Sequence, residues 1–209
     1  MASLQEVRTR IASVNSTKQI TSAMKMVSAS KLRKTQNSII KLKPYARKMN
    51  MILQNLCNAG NNNVSFFNER EEVNNVLIVI VSSNRGMCGT FNSAIIKATH
   101  NLIDEKFLEH LNAGKLSLMC IGKKNSEYFA KRKYKIDSIH NDLFDNLNYE
   151  NASSIAKTIM DDFENKKFDK VIVVYNYFKN AAVQVIQTSQ FLPFIPDFKK
   201  EEAENNHDY

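Results

Sequence analysis

The chain has no tryptophan, and its 209 residues include only five glycines, three prolines and three cysteines. So few turn formers leave little room for irregular loops and favour a helix-rich fold. The cysteines, Cys57, Cys88 and Cys120, are odd in number and show neither CxxC nor Cys/His spacing, which argues against a disulfide framework and against a zinc site. No run reaches the roughly 18 apolar residues of a membrane span, and MASLQEVRTR carries no apolar signal-peptide core, so neither a membrane-inserted nor a secreted chain is expected. Also missing is any gathering of His100, His110, His140 and His207 at metal-ligand spacing, or of paired carboxylates for acid/base work. A catalytically empty chain without cofactor or metal is the expectation.

What is present is positive charge. The net charge of +8 and a pI near 9.3 imply an acidic partner: nucleic acid, an anionic surface or an acidic protein. Seven basic residues (Arg8, Arg10, Lys18, Lys25, Lys31, Arg33 and Lys34) crowd the first part of the chain, opposed by Glu6 alone. A nucleic-acid-binding protein with a basic helix is therefore the alternative function.

From Leu4 to Leu56 there is one proline and no glycine, so a single helix of roughly 80 Å is predicted. Pro44 should kink or loosen it near Lys41. With Leu4 at heptad position a, the a and d columns are apolar at both ends: Leu4, Val7, Ile11 and Val14, then Leu32, Ile39, Leu42, Met49, Leu53 and Leu56. The middle of this seam is polar, with Lys18, Thr21, Lys25 and Ser28. There the apolar residues move to Ile20, Met24 and Val27, which is either a second face for another partner or a stammer that shifts the phase of one seam.

After the turn-rich NAGNNN at 58–63 the pattern changes. VNNVLIVIVSS (73–83), KLSLMCIG (115–122) and DKVIVVYNYF (169–178) read as strands buried on both faces, with YKIDSI (134–139) as a short strand. Residues 91–111, 125–133 and 150–166 carry helical spacing between them, the signature of a mostly parallel sheet. The alternating AAVQVIQTSQFLPF (181–194) reads as an antiparallel edge strand. The predicted fold is α/β: a long N-terminal coiled-coil-type helix plus a mostly parallel, Rossmann-like α/β domain. Its expected divisions are a shaft helix at 1–58, a linker at 59–72, an α/β foot at 73–196 and a loose acidic tail at 197–209.

The loop Ser82-Ser83-Asn84-Arg85-Gly86-Met87-Cys88-Gly89 follows the first strand and opens a helix, where doubly wound folds bind phosphate. It matches neither G-x-G-x-x-G nor a P-loop. Cys88 has no local His, Asp or Glu to activate it, although Arg85 and a helix N-terminus could lower its pKa. A small α/β enzyme using this loop is thus a weaker reading than Gly86 and Gly89 serving a tight turn.

Three segments, in order and spacing, carry a resemblance over nearly the whole chain: ASLQEVRTRIASVNSTKQITSAMKMVSASKLRKTQ, SSNRGMCGTFN and VVYNYFKN. The chain resembles the gamma subunit of F-type ATP synthase, with ITSAMKMVSASKL (20–32) and RGMCG as the most specific stretches. The resemblance implies a central rotor stalk that couples proton-driven rotation of the membrane c-ring to ATP synthesis on the beta subunits, with no active site of its own. Its implied partners are the alpha and beta subunits of the catalytic head, the epsilon subunit and the c-ring, without nucleic acid. The implied place is the cytoplasmic face of a bacterial inner membrane. By the same resemblance Ile20, Met24, Lys25, Val27, Arg85 and Cys88 would meet the acidic lever of a beta subunit. Asn84, Met87 and Thr90 depart from the commoner family residues Asp, Leu and Gly. The family's C-terminal helix, the mate of the seam and about a quarter to a third of a typical chain, is not in this sequence.

Overall fold

The computed structural model describes residues 3–58, 66, 70, 72–180 and 183–195. Most of the expected linker, and the expected tail at 197–209, lie outside the described residues. The chain divides into two compact units, 1–59 and 60–209.

Unit one is a single helix, α1 (Leu4–Asn58), which passes through Pro44 without a break in its helical run. The loosening expected near Lys41 therefore does not interrupt it. Strong helix formers on both sides hold the run, and the polar residues of the helix are satisfied locally. The hydroxyls of Thr9, Thr17, Thr35 and Ser38 each donate to the carbonyl four residues back, at 3.0–3.1 Å. Arg10 pairs with Glu6 at 2.6 Å. The apolar seam residues have no such resolution: Leu4, Ile11, Val14, Leu42 and Leu56 are exposed, while Ile39 and Leu53 are half-buried.

Unit two is a five-stranded sheet in the order β3-β2-β1-β4-β5. Strands β1 (Val76–Val81), β2 (Leu116–Ile121), β3 (Ile136–His140) and β4 (Lys170–Phe178) run parallel, and β5 (Gln184–Leu192) pairs antiparallel with β4. Helices cover both faces. On one, Val76, Ile78 and Ile80 of β1 pack with Ile95 and Leu102 of α2 (Phe91–Leu102) and with Phe129 of α4 (Lys123–Lys131). On the other, Leu77 and Val79 meet Ile159 and Phe163 of α5 (Tyr149–Glu164), together with Phe168. Strand β1 feeds alternate residues into two cores at once, which is why it reads as an unbroken apolar run. Of the edge strands, β3 alternates in burial, while β5 is exposed or half-buried along its length until the buried Leu192.

The stretch predicted as one helix at 91–111 is three pieces. Between α2 and α3 (Leu108–Asn112) lies a π-helical turn, Ile103–Phe107. The widened turn rotates the phase of the side chains, and both Ile103 and Phe107 enter the core. A short 3₁₀ turn at Asp142–Phe144, between β3 and α5, had no sequence signal.

A part-buried ion pair anchors the entry to the sheet. The Arg70 guanidinium pairs with Asp169, donates to the carbonyls of Phe163 (2.6 Å) and Phe168 (3.1 Å), and lies 4.5 Å over the Phe163 ring. The other Asp169 carboxylate oxygen accepts from the backbone N–H groups of Asn74 (3.0 Å) and Asn75 (2.8 Å). Burial alone would push the Asp169 carboxyl up, but the hydrogen bonds from Asn75, Arg70 and Asn74 outweigh it and hold the group below the usual carboxylate range.

Candidate functional site

The sequence-predicted contact residues fall on two surfaces, one in each unit. On α1, Ile20, Met24 and Val27 recur at i, i+4 and i+7 and all stand exposed, with Lys25 exposed beside them. An apolar stripe of this kind, ringed by Lys18, Lys25 and Lys31, suits a partner with both apolar and acidic groups.

The second surface is the loop between β1 and α2. Ser82 is buried and tied to the sheet by its N–H to Ile121 (2.9 Å), while its hydroxyl accepts the Asn125 N–H at 3.1 Å. The next residues are locked from inside the loop. Asn92 accepts the Ser83 N–H at 3.0 Å and donates to the Arg85 carbonyl (3.2 Å) and to the Cys88 sulfur (3.1 Å). Ser83 donates its hydroxyl to the Arg85 carbonyl at 2.6 Å. Asn84 bridges outward, donating to the Asn141 carbonyl (2.7 Å) and accepting the Lys123 N–H (3.0 Å).

With these side chains committed to one another, the loop is braced from within. Its tip is formed by Arg85, Met87 and Cys88, all exposed, with Met87 98% exposed. Of the two glycines expected to serve the tight turn, one takes the left-handed conformation. Gly89 takes φ +60° and so does Met87, whereas Gly86 is not in the left-handed region. Cys88 accepts a hydrogen bond from an amide and lacks an activating base in its own loop. Cys120 lies buried in β2, and burial pushes its thiol up to about 12.

Sequence reading missed Asn92, the residue that locks the loop, and the Arg70–Asp169 pair. Asparagine at the start of a helix is common, and 99 residues separate the two ion-pair partners, so neither carries a local pattern. Among the described residues no group of three or more His, Cys, Asp and Glu side chains could hold a metal ion.

A long helix with exposed apolar ends and a basic middle, in one chain with an α/β unit whose Arg85 loop is braced by Asn92, defines a protein that works through surfaces, a stalk or adaptor subunit. Comparison with known proteins gives the family. The ATP synthase family model matches residues 3–209. The ATP synthase gamma chain of Cytophaga hutchinsonii is 47% identical over 196 residues, covering 92% of this chain and 66% of that relative. The ATP synthase gamma chain of Christiangramia forsetii is 46% identical over 203 residues, covering 97% and 69%. The central stalk/c-ring structure of the Tetrahymena thermophila mitochondrial ATP synthase aligns with a TM-score of 0.61 and 26% identity, covering 83% of this chain and 72% of that one. A rotor structure from Euglena gracilis, at 18% identity and TM-score 0.57, shares the fold. The chain belongs to the ATP synthase gamma chain family, the non-catalytic rotor subunits of the central stalk of F-type ATP synthase. It spans about two thirds of the length of the relatives it matches. Family membership displaces the nucleic-acid reading of its basic charge. No helix among the described residues is long and apolar enough to cross a membrane.

Proposed function

We propose that this chain is the shaft-and-foot portion of the rotor that couples proton-driven rotation of the c-ring to ATP synthesis on the beta subunits. The observation that carries this reading is α1 itself: a 55-residue helix whose apolar residues are left exposed at both ends and in the middle. The ends, Leu4 to Val14 and Leu32 to Leu56, are a seam for a second helix in a coiled coil. The middle, with Ile20, Met24, Lys25 and Val27, contacts the acidic lever of a beta subunit, and Arg85 and Cys88 meet the same lever from the foot. The alpha subunits surround the shaft, and the epsilon subunit and c-ring hold the foot at the cytoplasmic face of a bacterial inner membrane.

Rotation needs contacts that form and break. Exposed ion pairs contribute roughly 0–1 kcal/mol each, which suits a basic surface passing three beta subunits in turn. The test is assembly of a complex in which this chain, supplied with a mate helix, replaces the resident gamma chain, followed by single-molecule observation of ATP-driven rotation. Stepwise rotation is expected; assembly of a hydrolytically active but non-rotating head would overturn the proposal.

A further inference from the structure

The α/β unit carries a concave surface of its own, apart from the Arg85 loop. A groove of about 490 Å³ runs between α2 and α4. Its α2 wall is one stripe over three turns, Asn92/Ser93, Ile96/Lys97 and His100, and its α4 wall is Lys124 and Tyr128. The floor is firm: His100 Nε2 hydrogen-bonds the Tyr128 hydroxyl at 3.2 Å, its Nδ1 meets the Tyr134 hydroxyl at 3.3 Å, and its ring lies 5.5 Å from that of Phe129. Ile96 and Tyr128 give the groove an apolar bed, being only partly covered by the core beneath them.

The charge around this bed is mostly positive: Lys97 and Lys124 line its two walls, with Asp104 acting on Tyr134 as the carboxylate beside the floor. Residues 123–135 contain six Lys and Arg against the single carboxylate Glu127. Glu127 is shared between Lys123 (3.8 Å) and Lys124 (3.6 Å), so this pair of lysines keeps one net positive charge. Lys97 stands exposed on the facing wall, and the Arg132 guanidinium lies 3.7 Å over the Tyr128 ring. The Lys124 stem also lies 4.0 Å from the point where a side chain at Gly86 would begin, so the groove opens toward the Arg85 loop.

Two helices with a stripe of side chains on each offer ridges and grooves to a third helix lying along them, and an apolar bed with basic rims selects an amphipathic helix edged by carboxylates. We infer that the α2–α4 groove docks an acidic amphipathic helix of another subunit of the assembled complex, with Ile96 and Tyr128 receiving its apolar stripe and Lys97 and Lys124 its carboxylates. This inference rests on the rotor reading, since that reading supplies the assembly.

The experiment places a photo-crosslinking benzoylphenylalanine at Lys97 in the purified assembled complex, with a control at Lys157, exposed on α5 across the sheet. Mass spectrometry then maps the attached peptide. Crosslinking from position 97, and not from 157, to a helical segment bearing Asp or Glu is expected. A crosslink to lipid, to a second copy of this chain or to a basic segment overturns the inference, as does no crosslink from position 97. The double variant Lys97→Glu/Lys124→Glu should weaken binding of the crosslinked subunit at least tenfold and flatten its salt dependence; unchanged affinity in a variant of native circular dichroism overturns it equally. Failure of the chain to enter the complex at all counts against the rotor proposal instead, which separates the two results.

Discussion

Gly122 shows how far a single atom matters in this molecule. It sits between β2 and α4 with φ +105°, and a Cβ there would fall 2.3 Å from the Ser82 carbonyl oxygen. Gly122→Ala should therefore destabilise the α/β unit by at least about 1–3 kcal/mol from backbone strain alone, read as a lower urea midpoint, and it should disturb the adjoining Arg85 loop. Asp169 gives a pH signature. Its folded-state pKa lies below the unfolded value of about 3.9. Its stabilising contribution is accordingly complete above that value and is lost as pH falls through the lower folded one. Asp169→Asn should cost about 1.5–3 kcal/mol at pH 7 and flatten the acid limb of a stability-versus-pH curve measured from pH 6 to 2. Cys88 and Cys120 should separate cleanly as well. At pH 8 a thiol reagent is expected to label exposed Cys88 and to leave Cys120, buried and with its pKa pushed up to about 12, untouched until denaturant is added.

Among the elements, α1 was legible from its residues because helix-forming composition and heptad spacing are local properties, and no packing decision was needed to read them. Its Pro44 costs the helix up to about 3 kcal/mol relative to alanine, yet 40 residues before it and 14 after it keep the run intact. Pro44→Ala should raise the helical signal at 222 nm and delay proteolysis in the 41–48 region, with no change in the α/β unit. The strands were equally readable, since doubly buried β1 and β2 are continuous apolar runs and edge strand β3 alternates in burial. The π-turn at Ile103–Phe107 was not. It exists because both Ile103 and Phe107 find room in one core, a fact of the sheet and of α4 rather than of the segment. The α2–α4 groove belongs to the same class: its walls come from helices 20 or more residues apart, and the clustering of lysines reads in sequence as a solvated helix face.

For the molecule as a whole, the two units should part company on heating. Long helices draw most of their stability from packing, and α1 exposes its seam, whereas the α/β unit buries Phe129, Phe163, Val76 to Ile80 of β1 and the whole of β2. Circular dichroism of the chain by itself should show an early loss of helix followed by a cooperative transition of the sheet unit, and sedimentation should show self-association that disappears when Ile11 and Leu42 are both changed to Asn. A purified chain should hydrolyse no ATP. The sequence by itself determined the length of the shaft, its apolar ends and polar middle, the α/β class and the family, because periodicity, composition and short motifs are written in neighbouring residues. Only the tertiary structure decided that Asn92 locks the Arg85 loop, that Arg70 finds Asp169, and that α2 and α4 frame a basic groove. Those are pairings between distant segments, made by a sheet order that places β1 between β2 and β4, and no local pattern encodes where a chain will meet itself.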